Sequence, residues 1–221
     1  MSRRFSSSLP SLSSSLAVPF AVAVVTLAAA SAHADDVGDL LHAGPLVRIE
    51  SDSAGKLKQA TCIADVDAPI DTVWKVLTDY EQYRFFMPRV KSLDISYDGV
   101  DALLAFKIDT PLVTTSYTNR QHPDPATHTV TVKQEKGDLS GSRYSWHLVS
   151  LSEGKTRIYY AGLIKNYSSI AESFEDEQQT LSIGINVVSL MASAKAVKSR
   201  AELVQHQLAS APAAAPMKST P

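Results

Sequence analysis

Cysteine is almost missing from this 221-residue chain: Cys62 is the only one. No disulfide can form within one chain, so the small loop-rich scaffolds stapled by bridges are excluded. A lone Cys in an extended segment reads as a small buried hydrophobe. A basic excess is also lacking. Lys and Arg number 21 against 23 Asp and Glu, a formal charge of −2, which argues against nucleic acid as a partner because phosphates demand a basic face. Glycines number 9, and none falls in a Walker or dinucleotide-binding pattern. No pair of His, Cys or carboxylates has zinc-type spacing, so neither a metal nor a cofactor is expected. The longest uncharged apolar run, Leu16 to Ala30, has about 15 residues, short of the roughly 20 that cross a bilayer as a helix.

That run has another reading. Arg3 and Arg4 precede it and Ala32-His33-Ala34 follows it, which is the layout of a cleavable export signal. Residues 1–34 are therefore expected to be removed, leaving Asp35 first and the protein periplasmic or secreted, by the general or the twin-arginine route. Losing the two arginines takes the formal charge from −2 to −4. Residues 35–44 read as an approach segment and 45–208 as one domain. Residues 209–221, a run of Ala, Pro, Ser and Thr, bury too little apolar surface to offset their ordering entropy and read as a disordered tail.

Within the domain, Leu46 to Glu50 alternates, Ser51 to Gly55 is rich in turn residues and Leu57 to Val66 is extended again, which predicts a hairpin. Ala68-Pro69 marks a helix start, and Ile70, Val73, Trp74, Leu77 and Tyr80 recur at helical spacing as its buried face. The aromatic stretch Glu81 to Pro88 reads as a short helix or corner ended by Pro88. Extended segments follow at Lys91–Tyr97, Ala102–Arg120, Thr127–Glu135, Ser142–Leu151 and Arg157–Asn166, with Pro111 expected to bend the longest. Turn residues between them predict an antiparallel meander. Ile183, Val187, Leu190, Met191, Ala194, Val197, Ala201, Val204 and Leu208 recur every three or four positions as one long amphipathic helix. Two strands, two short helices, five strands and a long helix make an α+β domain whose helices cover one face of its sheet.

The stretch Ala64 to Val90, ADVDAPIDTVWKVLTDYEQYRFFMPRV, resembles the START-like superfamily, also called SRPBCC or polyketide cyclase/lipid transport, and within it the coenzyme Q-binding branch. Gly141 to Trp146 and Gly154 to Tyr160 are similar to that family's paired late strands. Relatives commonly carry Pro where Arg84 stands, and the segment Ser168 to Gln179 is unusually acidic. The resemblance implies a helix-grip fold, with a curved antiparallel sheet wrapped around the last helix and an apolar cavity between them. Family members bind lipids, quinones, hormones or polyketides, and some catalyse cyclisation or dehydration, so fold alone does not choose between carrier and enzyme.

Alternation along the strands selects side chains to line that cavity: Leu104, Phe106 and Ile108; Val130 and Val132; Tyr144, Trp146 and Leu148; Ile158 and Tyr160. Phe86 joins them from the aromatic corner, and Val187, Leu190, Met191 and Ala194 from the last helix. Tyr144, Trp146 and Tyr160 stand out because each brings a polar atom that needs a partner when buried. No catalytic residue emerges. His147 is the histidine within a strand, and its alternation with Trp146 turns it away from the cavity. Lys107 and Asp109 read as outward charges. The leading expectation is an exported binding or transport protein for a hydrophobic small molecule such as a lipid or polyprenyl quinone. The alternatives are a polyketide cyclase-like enzyme using Tyr144 or Tyr160, and an interaction module whose Phe85, Phe86 and Met87 touch a membrane or a protein.

Overall fold

Turn chemistry and capping set the first elements. The computed structural model describes residues 34–109, 114–165 and 179–210. Strands β1 (Leu46–Ser51) and β2 (Leu57–Val66) pair antiparallel, joined by a turn in which the Asp52 carboxylate accepts from the amides of Ala54 and Lys56, both at 2.9 Å. Pro69, extended at φ −57° and ψ 151°, precedes helix α2 (Ile70–Thr78), where its missing N–H costs nothing. A 3₁₀ turn (Tyr80–Gln82) and helix α3 (Tyr83–Phe86) follow. They stop at Met87, which the ring of Pro88 forces into the extended region. Helix α1 is Ala34–Ala43 and the long final helix α4 is Gln179–Ser210.

Six further strands run as a meander: β3 (Val90–Asp98), β4 (Asp101–Asp109), β5 (Thr114–Asp124), β6 (Thr129–Gly137), β7 (Arg143–Ser152) and β8 (Lys155–Leu163). With β1 and β2 they build one eight-stranded antiparallel sheet in the order β1-β2-β8-β7-β6-β5-β4-β3. The sheet curves around α4, which packs along β2 and against α2, so the helix-grip α+β architecture implied by the resemblance is the one found.

Two elements differ from expectation. The segment Ala102–Arg120 is two strands rather than one bent strand: Asp109 pairs with Thr114, so the chain reverses between them. Of residues 35–44, expected as an approach segment, all but Gly44 lie in α1, anchored by the buried Leu41. Residues 1–33, the bend at Pro111, the acidic segment up to residue 178 and the tail beyond Ser210 lie outside the described residues. Ala209 and Ser210, read as the start of that tail, belong to α4.

The main core lies between the concave face of the sheet and the helices. Val73, Val76 and Leu77 of α2 meet Leu190, Ala194, Val197 and Ala201 of α4 over β2, β6, β7 and β8. Cys62 is fully buried there, and burial pushes its thiol up to about 12, which keeps it in the unreactive thiol form. A smaller cluster of Tyr80, Tyr83, Ala102, Leu104 and Phe106 closes the other end of the sheet.

Candidate functional site: an aromatic cavity with buried amides

Register places the site. On β7 and β8, Trp146 stands opposite Tyr160 and Tyr144 opposite Gly162. The Trp146 and Tyr160 rings stack with centroids 3.6 Å apart and planes 8° from parallel, and Tyr144 lies 6.3 Å from Tyr160. Gly162 makes room for Tyr144: a Cβ there would sit 2.8 Å from Tyr144 Cδ1 and 2.8 Å from the Arg143 carbonyl oxygen. On β4 and β5, Phe106 faces Tyr117 with ring centroids 5.3 Å apart.

Together these side chains bound a cavity of about 90 Å³ between the concave sheet, α3 and α4. Of the residues selected from the sequence, Phe106, Ile108, Val132, Tyr144, Trp146 and Tyr160 line it. Leu104, Val130, Leu148 and Ile158 point to the same face but are fully packed in the core, as are Leu190 and Ala194 of α4. Met191 packs against that core and Val187 is half-buried, while α4 presents Ser193 to the cavity. Phe86 sits between the two core clusters, edge-on to Tyr83 at 5.5 Å.

Sequence reasoning missed a wall of the cavity. Tyr83, Met87, Pro88 and Val90 line it, and their signal was present in the aromatic corner ended by Pro88. Tyr117, Asn119 and Gln121 also line it, all from the inward face of β5. Continuing the even-numbered alternation of Leu104, Phe106 and Ile108 through one long strand would have turned these three outward. The reversal after Asp109 changes the parity, so odd-numbered positions of β5 share a face with even-numbered positions of β4. On β6, Gln134 stands opposite Asn119 in the register that runs unbroken from the hairpin turn, where Asp124 pairs with Thr129, and the bulge at Glu135 shifts only the pairs beyond it.

The chemistry of the wall is neutral. The side-chain carbonyl oxygens of Asn119, Gln121 and Gln134 are buried and have no hydrogen-bond partner among the described residues. Burial pushes the Tyr144 phenol up to about 12, and holds Tyr117 and Tyr160 above the ordinary phenol range. Among the described residues, those lining the cavity include no carboxylate, imidazole or amine. His147, Lys107 and Asp109 are exposed on the opposite face. The expected exposed corner is reduced to one residue: Phe85 is exposed, with the Arg84 guanidinium 4.6 Å above its ring, but Phe86 and Met87 are turned inward.

Residues 66–181 match the family model for polyketide cyclase/dehydrase and lipid transport proteins. The chain belongs to that family. Members of the polyketide cyclase/dehydrase and lipid transport family are associated with hydrophobic ligands or cyclase-like chemistry, which accords with a cavity walled by rings. The fold is similar to the Zhui aromatase/cyclase of a Streptomyces strain, with a TM-score of 0.58 and 21% identity over 66% of this chain and 93% of that one. It is similar also to a Thermus thermophilus protein, with a TM-score of 0.56 and 16% identity over 69% and 99% of the two chains. A START superfamily protein from Mycobacterium smegmatis gives a TM-score of 0.53 and 17% identity over 66% and 98%. These likenesses concern the fold. No curated protein matches the chain in sequence.

Proposed function

We propose that this protein binds and carries an apolar small molecule, a lipid or quinone-type compound whose ring system enters the cavity between the sheet and α4. The observation that carries this reading is the wall itself: stacked Trp146 and Tyr160, with Tyr144, Phe106 and Tyr117, offers ring faces on several sides of one space. Binding would draw on burial of the ligand's hydrocarbon, about 25 cal/mol per Å² of apolar area. A cavity of about 90 Å³ accommodates a single head group, so a long prenyl or acyl tail would leave past Met87, Pro88 and Val90.

The neutral wall favours a carrier over the cyclase-like reading. Proton abstraction needs a base whose pKa lies near the working pH, and the phenols in the cavity are all held protonated. The charged start, apolar run and Ala32-His33-Ala34 site support export, and cleavage after Ala34 would leave nearly all of α1 on the mature protein. The test is purification from the native envelope, organic extraction and mass spectrometry. A discrete apolar compound at near-stoichiometric amount is expected, and repeated recovery of empty protein that also takes up no added ring compound would overturn the assignment.

A further inference from the structure

We infer that Tyr144 sets the size of ring that the cavity admits: one isolated ring enters and a fused pair is rejected. This rests on the binding reading above and names the residue that determines specificity at the same site. The cavity, about 90 Å³, is smaller than an apolar cavity of roughly 150 Å³ that binds benzene. A single ring therefore already fills it, and a second fused ring has to displace part of the wall.

The rings of that wall are held in different ways. Trp146 and Tyr160 stack face to face at 3.6 Å, and Phe106 leans on Tyr117 at 5.3 Å, so moving any one of these four strips a neighbouring ring of its packing. Tyr144 is placed otherwise. Its ring centroid is 6.3 Å from that of Tyr160, and its cross-strand partner on β8 is Gly162. Ile158, Tyr160 and Gly162 are successive inward positions of β8, and the last of them brings no side chain. The Tyr144 ring takes that room, its Cδ1 2.8 Å from where a Cβ at 162 would stand. Removing the ring opens space that nothing at position 162 can refill, continuous with the cavity that Tyr144 lines. Val132, the partner on β6, is β-branched and has little rotamer freedom to fill it. The space gained is that of one six-membered ring, which is the difference between a phenyl and a naphthyl head.

Two probes that differ by the fused ring test this, 4-propylphenol and 6-propyl-2-naphthol, titrated calorimetrically into the purified protein. Apolar burial by itself favours the naphthol, the larger hydrocarbon, so the inference predicts the reverse order. The phenol should bind the unaltered protein at least about tenfold more tightly. In Y144A the naphthol should gain at least about tenfold while the phenol gains nothing, whereas a general loosening of the fold would move both probes alike. Y144F keeps the ring and should keep the original order. Equal or tighter binding of the naphthol by the unaltered protein overturns the size limit. A naphthol affinity unchanged in Y144A, or an inverted order in Y144F, overturns the role of Tyr144. Each of these results leaves the carrier reading standing, whereas failure of both probes to bind the unaltered protein at millimolar concentration overturns that reading and the inference with it. Where Y144A does not fold, Y144L removes the ring while keeping apolar bulk, and the same gain for the naphthol is required of it.

Discussion

Tyr144 and Gly162 show how single residues shape the cavity. The phenyl ring of Tyr144 occupies the space that a side chain at 162 would need, so G162A forces either the ring or the backbone of β7 to move. Overpacking of this kind costs typically ~1–3 kcal/mol, and a loss in that range should appear as a lower urea midpoint with unchanged slope. The tyrosines also predict an alkaline transition. In the unfolded chain phenols lose their protons near pH 10, whereas burial holds the Tyr144 phenol up to about 12 and those of Tyr117 and Tyr160 above the ordinary range. Their contribution to stability is therefore complete below about pH 10. Above it the unfolded chain binds fewer protons than the folded one, so stability falls as pH rises toward 12. The urea midpoint should drop between pH 9 and pH 11, and tyrosinate absorbance at 295 nm should rise for the buried phenols only as the protein unfolds.

At the scale of elements, one buried side chain fixes α4 to the end of the sheet. Asn186 accepts from the Ile164 amide at 2.7 Å and donates to the Ile164 carbonyl at 3.1 Å, replacing the ladder partners that β8 lacks once it ends at Leu163. Ser142 makes the neighbouring clamp, its hydroxyl bonding both the amide and the carbonyl of Lys165. Replacing Asn186 with Leu keeps the volume and leaves two backbone groups unpaired. A loss of about 2 kcal/mol or more is expected in equilibrium unfolding, with faster amide exchange at Ile164 as the local signature. The far half of α4 is held differently, through Lys198, which donates to the Asp65 carbonyl at 2.6 Å, and Glu202, which accepts from the Asp67 amide at 3.0 Å.

For the whole molecule the consequence is coupling between ligand and fold, because the cavity is bounded by both ends of the chain's topology: the α3 corner, the central meander and α4. A ligand that binds only this assembled state stabilises it by mass action, about 2.7 kcal/mol at a hundred times Kd. For a domain of this size that corresponds to a rise in Tm of roughly 5–10 °C. Differential scanning fluorimetry with 4-propylphenol over a concentration series reads it directly. A Tm that does not move at high concentration would show that the compound does not bind the folded state in preference to the unfolded chain.

Apart from α1 and the break between β4 and β5, the order of elements was legible along the chain from local physical signals: Asp52 and Gly55 in a turn, Pro69 ahead of a helix, Pro88 ending one, and a three-to-four spacing from Leu190 to Ala201. Burial of Cys62 followed from its residue type, and the inward facing of Tyr144, Trp146 and Tyr160 from period-two alternation within single strands. Tertiary structure decided whatever depended on how strands meet. The reversal after Asp109 changed which parity of β5 faces inward, and the pairing of β5 with β6 set Gln134 beside Asn119; neither is encoded in the hydrophobic pattern of one segment. Core and cavity were likewise inseparable in sequence. Ile158 and Tyr160 alternate identically, yet Ile158 meets the packed helices while Tyr160 meets open space, because only the curvature of the sheet around α4 determines where the two surfaces touch and where they part.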